Sequence, residues 1–335
     1  MKSVIITNPI SQSTLIRKAL DNHGLIVFPT ETVYGIGASI FDPIAIQSIF
    51  TTKGRPQDNP LIVHIAEQSQ LEGLVTDVSP FAKKLMAAFW PGPLTIVLPK
   101  SLTVPSLITA NLDTVAVRMP KDPLARDVIR AAGVPLCAPS ANLSGKPSGT
   151  DFKSVYEDFF GKVSIFVEGG IPEFGIESTV IDLTSQIPTI LRPGAISAEE
   201  IETVLGMVIV SSSQAENTPK APGMKYQHYK PYGDVIILDG TTPKIIEFLQ
   251  SIPDQEAVFM GANEVCGDLF DLPLNTFALG PKDHVEVIAR ALYRTLRTLD
   301  NLKVKTIYTH TFSKKGIGTA LMNRLEKAAS QTISL

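Results

Sequence analysis

Cysteine is nearly absent from this sequence, and neither sign of charge predominates. Two of the 335 residues are cysteines, Cys137 and Cys266, and they form no CxxC pair. This excludes a disulfide framework and a zinc site built on thiolates, and it predicts a reducing compartment. With 30 basic and 33 acidic residues the net charge is −3. The chain as a whole therefore lacks the positive field of a protein that holds nucleic acid electrostatically.

Long apolar runs are also missing. None approaches the ~20 residues that a membrane-spanning helix needs, and residues 1–10 lack the basic and apolar segments of a secretory signal. We therefore expect a cytoplasmic protein without a membrane partner. An apolar fraction of 44% and a charged fraction of 19% exclude a disordered chain, and the length suffices for two domains.

Helix starts and ends are marked by capping residues. A capping side chain followed by proline predicts three helix starts, and a Ser-x-x-Glu capping box predicts a fourth. Glycine ends three of these helices. The predicted starts are Asp42-Pro43, Ser79-Pro80, Asp122-Pro123 and Ser197, and the predicted ends are Gly54, Gly133 and Gly206.

Short apolar runs between these helices predict strands. In the first two thirds of the chain they cover residues 25–28, 61–65, 94–98, 115–118, 134–138, 163–167, 179–183 and 189–191. Beyond residue 233, strands are predicted at 234–238, 257–260 and 306–309, and helices at 243–252, 284–299 and 317–329. The alternation predicts an α/β protein with a mixed sheet and a second, smaller α/β unit.

A polar segment separates the two halves. Residues 211–231 are rich in Ser, Gln, Asn, Pro, Gly and Lys and show no apolar periodicity. We predict a first domain over residues 1–207, a linker over 208–232 and a second domain over 233–335. Because the linker also carries Tyr226, His228 and Tyr229, it is typical of a lid or binding loop.

The common nucleotide-binding and hydrolase motifs are absent. There is no P-loop, and Gly35-Ile36-Gly37 and Gly316-Ile317-Gly318 both lack the third glycine of the dinucleotide fingerprint. HExxH and GxSxG are missing as well. If the protein binds a nucleotide, it must do so through a different binding motif.

Four segments are unusually polar for positions that follow apolar strands or helices. They are residues 29–37, residues 53–64, residues 137–150, and residues 177–179 together with 192–194. Each has an ordinary alternative: a strand-to-loop turn, a solvated helix end with a core histidine at His64, a glycine-rich turn, and surface. Taken together, the hydroxyls, amides, one lysine and several arginines predict a pocket for an anionic, polar ligand.

The order and spacing of the motifs PTETVYGIG, KGRPQDNPLIVHI, WPGPLTIVL, APSANLSGKPS, ESTVIDL and LRPG resemble the YrdC-like family of threonylcarbamoyl-adenylate synthases. APGMKYQHYKP and KGIGTALMNRLEKAA resemble the two-domain form of this family, which has an extra Rossmann-like domain. The resemblance spans nearly the whole chain. It implies that the first domain is a twisted open sheet with a cavity, and that the linker between the two domains closes over this cavity.

The resemblance also implies roles for single residues. Lys53 and Arg55 would be catalytic. The implied threonine-binding residues are Thr32, His64, Arg118, Ala138 through its backbone, and Ser178. The implied ATP-binding residues are Arg55, Asn59, Thr114, Ser140, Asn142, Ser148, Arg192, Tyr226 and Tyr229. No side chain is expected to ligate a metal.

The chain departs from the family pattern at three places. Glu168 stands where Asp is common, Gly149 where Pro is common, and Ala221 where Ser is common. None of these positions has an implied binding role, so the departures put only the fine geometry of the loops in doubt.

The implied reaction joins L-threonine, bicarbonate and ATP into threonylcarbamoyladenylate and pyrophosphate, with Mg²⁺ accompanying ATP. The product would pass to a tRNA threonylcarbamoyltransferase complex, which modifies an adenosine next to the anticodon, while direct RNA binding by this chain would be weak. Two alternatives remain at this point: a carbamoyl-adenylate enzyme such as a hydrogenase-maturation protein, and a double-stranded RNA-binding module. The chain lacks the cysteines and the length of the first alternative, and its net charge disfavours the second.

Overall fold

The structure, a computed structural model, describes residues 2–211, 229–252 and 256–335. These residues form two compact units. The first unit consists of residues 2–144, 148–173 and 177–211, and the second consists of Gly145–Pro147, Phe174–Ile176 and the described residues from 229 onward. The borders at residues 207 and 232 stay a prediction.

The described part of the first unit contains eleven strands in one sheet. They are β1 (Val4–Ile6), β2 (Ile26–Phe28), β3 (Gly35–Ser39), β4 (Ile62–His64), β5 (Leu94–Pro99), β6 (Thr114–Arg118), β7 (Leu136–Ala138), β8 (Ile165–Val167), β9 (Thr179–Asp182), β10 (Thr189–Arg192) and β11 (Val210–Ser211). The helices are α1 (Ser13–Asp21), α2 (Pro43–Lys53), α3 (Pro80–Phe89), α4 (Ser106–Thr109), α5 (Pro123–Ala132), α6 (Phe152–Phe159) and α7 (Ala198–Leu205), with a 3₁₀ helix at Gln68–Gly73.

The four predicted helix starts are confirmed, together with their caps. The side chains of Asp42 and Asp122 each accept two backbone N–H groups, and Ser79 accepts one. Ser197 and Glu200 form the reciprocal capping box of α7. These side chains satisfy N–H groups that have no partner inside a helix, so the helices begin where the sequence predicts.

The order of the strands is β1-β8-β2-β3-β7-β4-β6-β5-β9-β10-β11. Parallel pairs such as β4–β6 and β5–β9 alternate with antiparallel pairs such as β4–β7 and β5–β6. The predicted mixed sheet is therefore confirmed.

The two faces of this sheet are covered differently. Apolar residues of α2, α3, α6 and α7 pack on one face in the main core, which includes Phe50, Leu85 and Val63. On the other face α1 and α5 pack over Phe28 and Leu136. The remaining part of that second face carries a small separate cluster, Ile62, Val97, Ala116, Val180 and Leu191.

The second unit contains a five-stranded sheet in its described residues, of order β14-β13-β15-β12-β16. All its strand pairs are parallel, as expected for an α/β unit with crossover helices. Its elements are β12 (Asp234–Asp239), α8 (Thr242–Ser251), β13 (Val258–Ala262), α9 (Asn263–Asp268), β14 (Asn275–Gly280), α10 (Val285–Asn301), β15 (Thr306–His310), α11 (Gly318–Ala328) and β16 (Ala329–Ser334).

None of the helices in the described residues is long and apolar enough to span a membrane.

Candidate active site

The predicted ligand residues of β4 and β6 share one face of the sheet. Side chains alternate along a strand, and the register pairs Ile62 with Ala116 and His64 with Arg118. Thr114 precedes Ala116 by two residues and therefore lies on the same face. This is the face that carries the small apolar cluster. Thr114 and Arg118 stand at opposite ends of the strand, four residues and about 13 Å apart.

At the carboxyl end of β6 the Arg118 guanidinium is fixed from three sides. Its Nη2 lies 2.7 Å from Glu31 Oε1, its Nη1 donates to Thr32 Oγ1 at 2.9 Å, and its Nε donates to the Gly92 carbonyl at 3.3 Å. Burial alone would raise the pKa of Glu31, but the charge and hydrogen bond of Arg118 outweigh it and hold the pKa below its ordinary value. The pair is therefore ionised, and the guanidinium keeps one orientation.

His64 is buried and neutral. Removal from water, and then the nearby charge of Arg118, lower its pKa to about 3. Its Nδ1 lies 3.1 Å from the Ile62 carbonyl, and because a carbonyl only accepts, Nδ1 must carry the hydrogen. The Nε2 atom of His64 is then an acceptor.

At the amino end of the same strands two buried polar groups have no partner among the described residues. Both side-chain atoms of the Asn59 amide, and the hydroxyl of Thr114, make no hydrogen bond there. Asn59 is 1% exposed. Arg55 lies beside it, since its Nη2 donates to the carbonyls of Asn59 and Pro60 at 3.2 and 3.1 Å. Buried polar groups without partners are uncommon and are a sign of a ligand site.

Lys53 organises the loop that follows β7. Its Nζ donates to the carbonyls of Ser140 and Asn142, both at 2.5 Å, and the Lys53 carbonyl accepts the N–H of Ser144 at 2.8 Å. Ser140 Oγ in turn donates to Asn142 Oδ1 at 2.6 Å. The lysine charge is thus held against this loop.

Backbone hydrogen bonds join the first and third polar segments. The Tyr34 carbonyl accepts the N–H of Ala141 at 2.6 Å, and the Tyr34 N–H donates to the Gly149 carbonyl at 2.9 Å. One glycine of β3 is required by the packing of the core. A Cβ at Gly37 would lie 2.8 Å from the ring of Phe28, so this glycine makes room for a core aromatic.

The fourth polar segment brings Arg192 onto Ser178. The guanidinium donates to the Ser178 carbonyl from Nε at 3.1 Å and from Nη2 at 2.8 Å, and Nη2 also reaches Ser178 Oγ at 3.1 Å. Thr95 Oγ1 lies 2.8 Å from the same hydroxyl. A Cβ at Gly194 would meet the Thr179 nitrogen at 2.2 Å, so only glycine permits this approach.

Ser148 pairs with a buried carboxylate. Its Oγ donates to Glu177 Oε1 at 2.6 Å, and both residues are buried. Since its single hydrogen is used there, the Ser148 hydroxyl can meet a further ligand only as an acceptor.

The other predicted residues lie on β7 or in the linker. Ala138 is buried on β7 opposite Ile62, which places it on the same face as the ligand residues of β4. Tyr226 lies outside the described residues. Tyr229 belongs to the second unit, where its ring stacks on Tyr293 at 5.2 Å between centroids and lies 5.6 Å below the Arg324 guanidinium. Both of these contacts of Tyr229 lie within the second unit.

The sequence did not assign roles to four buried residues that contact the predicted ones: Thr30, Glu31, Thr95 and Glu177. The Glu31–Arg118 and Thr95–Ser178 contacts join residues 87 and 83 positions apart, and no local pattern reveals such pairs. The available signals were the polar run Thr30-Glu31-Thr32 at the exit of β2 and the polar segment 177–179, which contains Glu177.

Comparison with known proteins gives matches for both units. The family model Sua5_yciO_yrdC, described as telomere recombination, matches residues 18–194. A second model, described as the C-terminal domain of threonylcarbamoyl-AMP synthase, matches residues 196–330.

Two curated relatives are similar over most of their length. The threonylcarbamoyl-AMP synthase of Pyrococcus abyssi is 47% identical over 92% of this chain and 91% of its own. That of Bacillus subtilis is 43% identical over 92% and 90%. Among solved structures, P. abyssi Sua5 complexed with L-threonine superposes with a TM-score of 0.90 at 42% identity, covering 99% of this chain and 100% of that one.

Proposed function

Because the chain belongs to the threonylcarbamoyl-AMP synthase family, we propose that the residues described above carry out the reaction of that family. The protein is an enzyme, a nucleotidyltransferase that forms L-threonylcarbamoyladenylate and pyrophosphate from L-threonine and ATP. The family membership favours this function over the two alternatives that the sequence left open.

The observation that carries the assignment of the residues is the arrangement at the two ends of β4 and β6. At the carboxyl end Thr32, His64 and Arg118 offer two acceptors and a fixed cation. Such a set suits an amino acid, which has a carboxylate together with N–H and O–H donors. We assign threonine to this end together with Ser178, and we also assign it the backbone of Ala138, which pairs with Ile62 at the other end of β4.

The amino end suits the nucleotide. The unpartnered amide of Asn59, which lies beside Arg55, and the unpartnered hydroxyl of Thr114 would gain partners when a polar ligand binds. Ser140, Asn142, Ser148 and Arg192 complete the assignment to ATP. Tyr226 and Tyr229 of the 208–232 linker, which we propose as a lid, are assigned from the sequence resemblance, and the packing of Tyr229 in the second unit gives it no support.

The chemistry explains why cations predominate here. The threonine nitrogen attacks CO₂ derived from bicarbonate and loses a proton, which gives a carbamate. A carbamate oxygen then attacks the α-phosphorus of ATP, the bond to the bridging oxygen breaks, and pyrophosphate leaves. Both reactants are anions, so the charges of Lys53, Arg55 and Arg192 lower their repulsion and stabilise the charge that develops on pyrophosphate. Lys53 acts by charge and by positioning the Ser140 loop.

Mg²⁺ is assigned to the substrate complex MgATP. No group of three or more His, Cys, Asp or Glu side chains in the described ranges could hold a metal ion. Mg²⁺ usually binds substrate phosphates and water with few protein ligands.

We further propose that bicarbonate is the source of the carbamate carbon and that the enzyme acts in the cytoplasm. The product, threonylcarbamoyladenylate, is a mixed anhydride and hydrolyses readily in water. An enzyme that uses it must therefore be nearby. A tRNA threonylcarbamoyltransferase complex, which modifies the adenosine next to the anticodon, is the partner that the family resemblance implies.

The test is pyrophosphate release from MgATP in CO₂-free buffer, with L-threonine and bicarbonate added separately and together. We expect release only with both, and loss of release in Arg55→Ala. Arg130→Ala is the matched control, because Arg130 forms an exposed pair with Glu67 and such pairs contribute little to stability. Release without threonine, or none with both additions, would refute the proposal.

A further inference from the structure

The hydroxyls of Thr30 and Thr32 form a buried pair in the loop after β2. Their Oγ1 atoms are 2.9 Å apart, and the exposed fractions of the two residues are 2% and 0%. The family resemblance gives Thr32 a role in threonine binding, but it gives Thr30 none.

The direction of each hydrogen bond in this pair follows from counting hydrogens. Thr30 Oγ1 lies 2.6 Å from the carbonyl oxygen of Val33. Two oxygens at this distance need a hydrogen between them, and a carbonyl has none to give, so Thr30 must donate. A hydroxyl has one hydrogen. The hydrogen of Thr30 is thus fully used.

The bond between the two hydroxyls must then be donated by Thr32. Thr32 Oγ1 also accepts from Arg118 Nη1 at 2.9 Å, which occupies one of its two lone pairs. What remains on Thr32 Oγ1 is one lone pair and no available hydrogen. On Thr30 Oγ1 the shorter contact, from Thr32 Oγ1, takes one lone pair, and the longer contacts from the N–H groups of Thr32 and Val33, at 3.2 and 3.3 Å, share the other.

We propose that Thr30 is a positioning residue that makes the Thr32 hydroxyl an acceptor, so that Thr32 contacts a hydrogen-bond donor of the substrate, N–H or O–H, and rejects its carboxylate. This rests on the proposed binding of threonine at the carboxyl end of β4 and β6. The carboxylate must then turn towards other donors. Thr30 thereby sets the orientation of the amino acid without touching it.

The test measures L-threonine binding to the full-length protein by titration calorimetry. In Thr30→Val the hydrogen of Thr32 loses its acceptor and can turn to the ligand, so we expect the Kd to rise about tenfold, the loss of roughly one good hydrogen bond. Thr30→Ser keeps the hydroxyl and should restore the affinity. Thermal unfolding of each variant shows that it is folded.

A double-mutant cycle separates positioning from a general structural role. In a Thr32→Val background, Thr30→Val should change the Kd by less than about twofold, because Thr30 acts through Thr32. A full tenfold loss in that background would overturn the proposal, as would an unchanged Kd in Thr30→Val alone or a failure of Thr30→Ser to restore binding.

Binding of L-2-aminobutyrate, which lacks the hydroxyl of threonine, identifies the donor. If Thr30→Val weakens threonine alone, the donor is the substrate O–H, and if it weakens both ligands equally, the donor is N–H. Either result supports the acceptor role. If the unmodified protein binds no threonine, both the proposed function and this inference are refuted. If the unmodified protein binds threonine and Thr30→Val binds it equally well, only this inference is refuted.

Discussion

His64 should make the first unit lose stability as the pH falls below neutral. A histidine in the unfolded chain has a pKa near 6.5, whereas in the folded protein the pKa is lowered to about 3. At pH values between these two pKa values, His64 is protonated in the unfolded state and neutral in the folded state. The free energy of unfolding therefore falls as the pH is lowered. The stabilisation is complete above pH ~6.5 and is progressively lost towards pH ~3.

The expected size follows from the difference in proton binding. At pH 5 an unfolded histidine lies about 1.5 units below its pKa and the folded one is still neutral. At ~1.36 kcal/mol per unit, His64 should lower the free energy of unfolding by about 2 kcal/mol between pH 7.5 and pH 5. Other groups titrate too, and the comparison is therefore between the unmodified protein and variants of His64.

Urea unfolding followed by tryptophan fluorescence is the appropriate assay. Trp90 is the single tryptophan of the chain and is buried in the first unit, so its signal reports on that unit. His64→Asn and His64→Phe both remove the titrating ring, and each should lose about 2 kcal/mol less than the unmodified protein over this pH range, whatever its stability at pH 7.5. Parallel pH curves for all three proteins would refute the buried, neutral histidine.

Three further substitutions have expected outcomes. Asn59→Leu removes a buried amide without a partner, so the ligand-free protein should be as stable or about 1 kcal/mol more stable in urea. Calorimetry should show at least tenfold weaker ATP binding by this variant. Lower stability with normal ATP binding would contradict the ligand role of Asn59. Glu31→Gln leaves the buried Arg118 without its counter-charge and should cost about 3 kcal/mol of unfolding free energy, and a loss below about 1 kcal/mol would show that the pair is not desolvated. Lys53→Met takes the donor from the Ser140 carbonyl and should lower kcat/KM for ATP about 100-fold, whereas a wild-type value in steady-state kinetics would exclude this positioning role.

The parts of the fold that could be predicted are those that depend on neighbours in the sequence. The cap of α2 at Asp42 and its end at Gly54 are decided within a few residues, and the same holds for α5. Strands such as β5 were found because their apolar runs are continuous. β3 was missed since its sequence, Gly-Ile-Gly-Ala-Ser, is that of a turn, and it becomes a strand only by pairing with β2 and β7.

The last strand was missed for a similar reason. β16, Ala-Ser-Gln-Thr-Ile-Ser, is an edge strand with little buried surface, and it is paired along its length with β12. Such tertiary pairing overrides weak local preference.

In the candidate site, too, the features that depend on neighbouring residues could be predicted, and those that depend on distant residues could not. The residue types of the polar segments indicated an anion pocket, but the partners of Arg118 and Ser148 could not be foreseen. Glu31 and Glu177 come from segments 87 and 29 residues away. Their charges matter for the electrostatics of the site, and only the folded sheet brings them there.

The separation of Thr114 and Arg118 on one strand has a practical consequence for inhibitors. A β-strand hydrogen-bonded on both sides hardly changes length, so the distance of about 13 Å between the two ends of β6 is a fixed dimension. A stable mimic that joins an adenosine to a threonine through a non-hydrolysable linker would have to match that length. Lengthening the linker by one or two atoms should therefore weaken the binding of such a compound.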